Sequence, residues 1–228
     1  MRSLRVMLWA ILLIILFQAP PASGVTLGQV DNFEDGTTQN WVVGLLGAPH
    51  PAPPVNVATG GPAGAGDHYL LLTAIGGGGA GSRLTVINAS QWTGDFIAAG
   101  IDLITMAVNN LGSTELALRL LFEDPTVGPP ENIAFSTEAV IVPPGSGWIS
   151  VLFPISPADL SAALGDVTTA LTHATVMRLY HSSDPGFPGP AIAASLGVDN
   201  IAAVPVPVTA ILFGSGLVAM LFRQRWKN

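Results

Sequence analysis

Residues 114–122 read Thr-Glu-Leu-Ala-Leu-Arg-Leu-Leu-Phe, and this stretch decides the fold class. Leu116, Leu118, Leu120 and Phe122 fall at every second position. A strand turns successive side chains to opposite faces, so these share one face, with Glu115, Ala117 and Arg119 on the other. Working outward, similar short apolar or β-branched runs occur at 68–75, 83–88, 101–109, 138–142, 148–153, 175–181 and 195–203. Clusters of Gly, Pro, Asn and Asp separate nearly all of them. Many short strands with such spacing predict an all-β protein, an antiparallel jelly-roll β-sandwich. One short helix is expected over 156–166: Ser156 caps, Pro157 suits the first helical position, Asp159 sits three after the cap and Gly165 terminates. The Pro-, Gly- and Ala-rich stretch 47–67 reads as an extended loop, as do the shorter 124–132 and 182–190.

The mean hydropathy of +0.53 over 228 residues comes partly from the two ends. Residues 6–17 are uncharged and apolar behind Arg2 and Arg5, and Ala22-Ser23-Gly24 offers small residues for cleavage. Residues 1–24 therefore read as a secretory signal peptide. The apolar run is only ~18 Å long as a helix, short of a ~30 Å hydrocarbon core, which weighs against an uncleaved anchor. At the other end, 208–222 is uncharged and is followed by Arg223, Arg225 and Lys227. Counted from Val204, this is close to the length of a single transmembrane helix with its basic end cytoplasmic. Both ends then put residues 25–203 across the membrane from the cytoplasm.

That middle domain holds three arginines and all 15 acids, a formal charge of −12. Such a surface repels phosphate backbones and excludes a nucleic-acid partner. With no cysteine, disulfides and thiolate metal sites are excluded as well.

Motifs for catalysis are sparse. Gly76, Gly78 and Gly81 fit G-x-G-x-x-G with Asp102 downstream, but Thr85, Val86 and Ile87 follow in a strand-like pattern where a dinucleotide site needs a helix. Those glycines read as a hairpin loop between two strands. The four histidines show no metal spacing, and no G-x-S-x-G elbow exists. A glycosidase-like carboxylate pair stays open, because separation in space is invisible here.

Two binding features stand out. If the first and last strands are neighbours, Glu34 or Asp35 approaches Asp199, and neighbouring carboxylates repel unless a cation or a proton intervenes. Calcium takes six to eight such oxygens. The other reading is exposed turn acids. Trp92, beside Gln91, Thr93 and Asp95 in the loop 91–95, suits a platform that stacks on a sugar ring. Its other reading, shared with Trp41 and Trp148, is core filling.

Two resemblances extend this reading. The Pro-containing tetrad at 204–207, the short apolar helix with Leu-Phe-Gly-Ser-Gly-Leu at 212–217 and the basic tail resemble the PEP-CTERM sorting tail of Gram-negative bacteria. Val206 stands where that family has glutamate. The resemblance implies that residues 204–228 are a sorting tail carried by Pro205, Pro207, Arg223 and Arg225. It also implies dealings with the export machinery, the membrane and an exosortase-type protease, and association with exopolysaccharide. The domain resembles jelly-roll, galactose-binding-like carbohydrate-binding modules: Phe33, Glu34, Gly36 and Trp41 match their opening strand, Asp199 and Ile201 their closing one. That resemblance implies a structural calcium held by Glu34, Asp35 and Asp199.

The expectation is an exported, non-catalytic protein of the cell envelope or extracellular matrix. It is anchored at the inner membrane with its domain in the periplasm, or passed on to the surface. The alternative is a glycan-binding module with structural calcium, taking polysaccharide through Trp92 and Asp95. A secreted glycoside hydrolase is a third reading.

Overall fold

The alternating stretch 114–122 lies at the centre of a β-sandwich. In this computed structural model, residues 24–44, 50–125 and 128–205 are described. The signal-peptide assignment, up to residue 23, and the sorting tail beyond Pro205, including Pro207, Arg223 and Arg225, lie outside the described residues.

In chain order the elements are β1 (Val30–Asp31), β2 (Val55–Val57), β3 (Tyr69–Ile75), β4 (Thr85–Asn88), β5 (Leu103–Asn110) and β6 (Leu116–Asp124). There follow β7 (Asn132–Ser136), β8 (Val140–Val142), β9 (Ile149–Pro154), β10 (Leu160–Leu164), α1 (Val167–Thr172), β11 (Val176–His181) and β12 (Ala193–Val204). They form two six-stranded antiparallel sheets. Sheet A runs β2-β3-β12-β5-β9, with β1 also on β12; sheet B runs β10-β7-β6-β11-β4, with β8 also on β6. β3 pairs with β12 as far as Val198, and β1 takes over at Ile201 and Ala202. First and last strands are therefore neighbours, as expected.

The period-2 pattern of β6 sorts its side chains as predicted on one face. Leu116, Leu118, Leu120 and Phe122 all enter the core between the sheets. Phe122 meets the edge of Phe96 at 4.9 Å between centroids. The opposite face differs from expectation, for it too is sealed. Leu121 packs with Phe135 and Tyr180, and Phe187 from the loop after β11 covers them. Arg119, 3% exposed, donates from Nε to the Ser182 carbonyl and from Nη1 to the carbonyls of Ser136 and Thr137. A buried guanidinium has five donors to satisfy, and three loop and strand carbonyls take up part of that demand.

Two local expectations are corrected. The helix expected over 156–166 is a turn followed by β10. Asp159 accepts from the Ser156 amide and hydroxyl, so the two residues bond to each other and close a turn in place of a helical cap. The helix comes one segment later, where Asp166 is the N-cap and accepts from the Thr169 amide. The glycine loop 76–81 is an arch between sheets, because β3 belongs to sheet A and β4 to sheet B. Gly76, Gly77, Gly79 and Gly81 all have φ between 68° and 85°, a region open to glycine at little cost.

Candidate functional site

β1 brings Asp31 into register with Ile201, and this anchors the tryptophans. Asp31 Oδ2 accepts from the indoles of Trp41 (2.7 Å) and Trp92 (2.6 Å) and from the Gln91 amide (3.0 Å). Both indoles are fully buried, with centroids 6.4 Å apart. Burial pushes the Asp31 carboxyl above its usual range, and the two indole bonds and Gln91 oppose that rise. Trp92 therefore fills the core and presents no face to a sugar. The assignment of a glycan platform to Trp92 and Asp95 is corrected: Asp95 is exposed and its carboxylate caps a turn at the Ala98 amide. An indole that can reach a buried acceptor gains more from burial than from exposure.

Two aromatics that are not sealed lie elsewhere, on the outer face of sheet A. Strand alternation sends Leu70, Leu72 and Ala74 to the core and leaves Tyr69, Leu71, Thr73 and Ile75 outside. On β12, Leu196 and Val198 face the core, so Gly197 and Asp199 face outward. Gly197 pairs with Leu71 on one side and Asn109 on the other. Trp148, just before β9, lies over Gly197: a Cβ built there would stand 2.8 Å from its ring. The ring meets Tyr69 at 5.2 Å with 75° between planes, and its indole N–H donates to the Gly60 carbonyl at 2.8 Å. Both aromatics are half-buried, not sealed. Val55, Ile75 and Leu152, each about half exposed, extend the apolar surface of the same sheet face.

Asp199 sits on this face beside Ala107, itself paired with Ser150. The residue is 1% exposed. Its two oxygens accept from the Asn200 amide and side chain, where Asn200 takes φ 51° and a bulge breaks the register. Burial raises the Asp199 carboxyl to about 7; the Asn200 amide opposes this, and the nearby charges of Asp67 and Glu34 add to it.

The calcium set Glu34, Asp35 and Asp199 is not brought together. Glu34 bonds the His68 amide and its charge acts on Asp199, whereas Asp35 closes its own turn on Thr37 and its charge acts on Asp31. Among the described residues, no group of three or more His, Cys, Asp or Glu side chains converges to hold a metal ion. Consecutive residues in a tight turn point apart, which spacing alone does not reveal. His181 is buried as an acceptor of the Ala117 amide, and Asp184 is exposed. The Trp148–Tyr69 pair was missed because residues 69 and 148 meet only when β3 and β9 share a sheet.

No family model and no curated protein matches this chain. Among solved structures, a family 11 carbohydrate-binding module from Clostridium thermocellum, solved with a β-1,3-1,4-mixed-linked tetrasaccharide, is similar at TM-score 0.51 and 14% identity. The match covers 79% of this chain and 98% of that one. An exo-β-agarase is similar at TM-score 0.55 and 13% identity, over 80% of this chain. This chain spans 26% of the agarase. At such identities the likeness speaks for the fold: an antiparallel β-sandwich shared with carbohydrate-binding modules.

Proposed function

We propose that this chain is an exported, non-catalytic glycan-binding module of the cell envelope. A polysaccharide would lie across the outer face of sheet A and stack on Trp148 and Tyr69. The observation that carries this is the partly exposed aromatic pair set over Gly197. A ring with its N–H already bonded to protein keeps a fixed face for the C–H side of a sugar and loses little rotamer entropy on binding. The fold likeness to carbohydrate-binding modules supports the reading.

A hydrolase is the weaker reading. Asp199 has a pKa raised to about 7, as a general acid needs, but it is sealed and both its oxygens are engaged by Asn200. A general acid needs to reach the leaving oxygen. The envelope location rests on the sequence of the two ends, and the sorting tail would hold the domain at the membrane for an exosortase-type protease and bring it to exopolysaccharide.

Affinity electrophoresis tests the binding. The domain is run through gels containing mixed-linkage β-glucan, agarose or bacterial exopolysaccharide. Wild type is retarded by at least one polymer, and Trp148→Ala runs free while keeping its circular dichroism spectrum. Equal mobility of the two proteins in every gel sinks the proposal.

A further inference from the structure

A second recess, of about 660 Å³, opens where the segment after β1 meets the segment after β4. Asp31, Asp35, Thr37, Gln39, Asn40 and Gln91 line it. Asp31 is its floor. That side chain is 5% exposed, and Oδ2 carries all three of its hydrogen bonds. Oδ1 accepts none from the described residues. Among the described residues no sealed side-chain oxygen or nitrogen lacks a partner, so Oδ1 is not sealed, and Asp31 is one of the residues that line the recess. A carboxylate oxygen in such a position is an acceptor waiting for a donor.

The rim in front of it is rigid. Gln39 and Asn40 take φ of 46° and 62°, conformations that cost a non-glycine residue on the order of 1 kcal/mol each. They are held there by bonds across the recess. The Gln39 carbonyl accepts from the side chains of Asn88 (3.1 Å) and Gln91 (2.6 Å), and the Asn40 side chain donates to Gln91 Oε1 at 3.1 Å. Strain maintained by such a network is common at ligand sites. The chemistry of the lining selects the ligand class. Two carboxylates and no Lys or Arg exclude an anion. With no aromatic side chain in the lining there is no stacking face. What remains is a ring of amides, hydroxyls and one open carboxylate oxygen, which suits a ligand that both donates and accepts through vicinal hydroxyls.

We propose that this recess binds a neutral polyol, the hydroxyl edge of a free monosaccharide or of a glycan terminus, with one ligand hydroxyl donating to Asp31 Oδ1. The site is separate from the Trp148 face and stands or falls independently of it.

The test uses the full chain with ¹⁵N in its tryptophan indoles. The Trp41 and Trp92 indoles bond the same carboxylate and report on it; Trp148 reports on the other face. Methyl α-glucoside, methyl β-galactoside, mannitol and a mixture of short β-glucan oligosaccharides are titrated in turn. The expected result is a saturable shift of the Trp41 and Trp92 signals with at least one probe, with Trp148 unmoved by the monosaccharides and by mannitol. A response to the oligosaccharides alone would identify a chain end as the source. Asn40→Gly keeps the left-handed backbone and removes the rim amide, and it should weaken the response at least tenfold while the circular dichroism spectrum and the Trp148 signal stay unchanged. The proposal is overturned by three outcomes: no saturable shift of these two signals with any probe, an undiminished response in Asn40→Gly, or the same shift produced by Ca²⁺ alone.

Discussion

Gly197 is the residue whose smallness makes the aromatic platform. Any Cβ there meets the far end of the Trp148 ring. Gly197→Ala should push the ring aside at a stability cost of about 1–3 kcal/mol, since the added methyl overpacks a contact held by Tyr69 and the Gly60 bond. The Trp148 indole resonance should shift and polysaccharide retention should fall several-fold; unchanged retention would show that the ring position is not what binds. Asp31 is the opposite kind of residue, small in count of atoms and large in consequence. Asp31→Ala strands two fully buried indole donors, each costing about 1–3 kcal/mol, so urea unfolding should show a loss of roughly 3 kcal/mol or more. A loss below 1 kcal/mol would mean that the indoles find other acceptors. Asp199 gives a pH signature. Its folded pKa, about 7, lies above the unfolded value of 3.8, so the folded state holds the proton more tightly. Stability is then fully present below pH 4 and is lost as pH rises through about 7. Asp31, also raised, adds a change of the same sign. The thermal midpoint of wild type should fall between pH 4 and 7.5, and Asp199→Asn should flatten most of that fall. Parallel curves for the two proteins would refute the assignment.

At the scale of elements, the lesson lies between β9 and β11. The residues 156–166 carry helix signals, but Ser156 and Asp159 satisfy each other and the chain continues into β10, which pairs with β7. The real helix is the six-residue α1, too short to stand alone and dependent on packing of Ala170 and Leu171. Its cap is a local contribution. Asp166→Ala should cost about 1 kcal/mol in chemical denaturation, whereas Ser156→Ala, at a turn, should cost less. The reverse order would restore the helix at 156–166. β6 shows a second effect: alternation was read correctly, yet the face of Arg119 is buried because the loop carrying Phe187 folds over Tyr180. Whether a polar face meets water depends on what another segment does.

At the scale of the whole molecule, burial and the nearby charges of Asp67 and Glu34 raise the Asp199 carboxyl, so a proton answers part of the repulsion there. Thermal unfolding of the full chain at pH 7 should give the same midpoint with millimolar Ca²⁺ and with chelator. A calcium-dependent rise that Asp199→Asn abolishes would put a cation at Asp199, where the charges of Glu34 and Asp67 already act. The sandwich also separates the two proposed ligand sites: the outer face of sheet A with Trp148 and Tyr69, and the recess over Asp31 between the segments that follow β1 and β4. Neither uses Trp92, whose ring is spent on the core.

Local pattern was enough for the architecture. Period-2 alternation and turn residues carried the antiparallel strands, because those preferences are set by backbone geometry and by burial of every second side chain; the pairing of β1 with β12 was expected only through the jelly-roll resemblance of the Phe33–Trp41 and Asp199–Ile201 segments. What the tryptophans do was decided only in three dimensions. Trp41 and Trp92 are core because Asp31 lies within bonding distance of both. Trp148 is a platform because Gly197 leaves room beneath it and Gly60 supplies its acceptor. Those partners are 10 to 88 residues away in the chain. The tertiary structure alone brings them together, and only there does the balance between burying an indole and exposing it get settled.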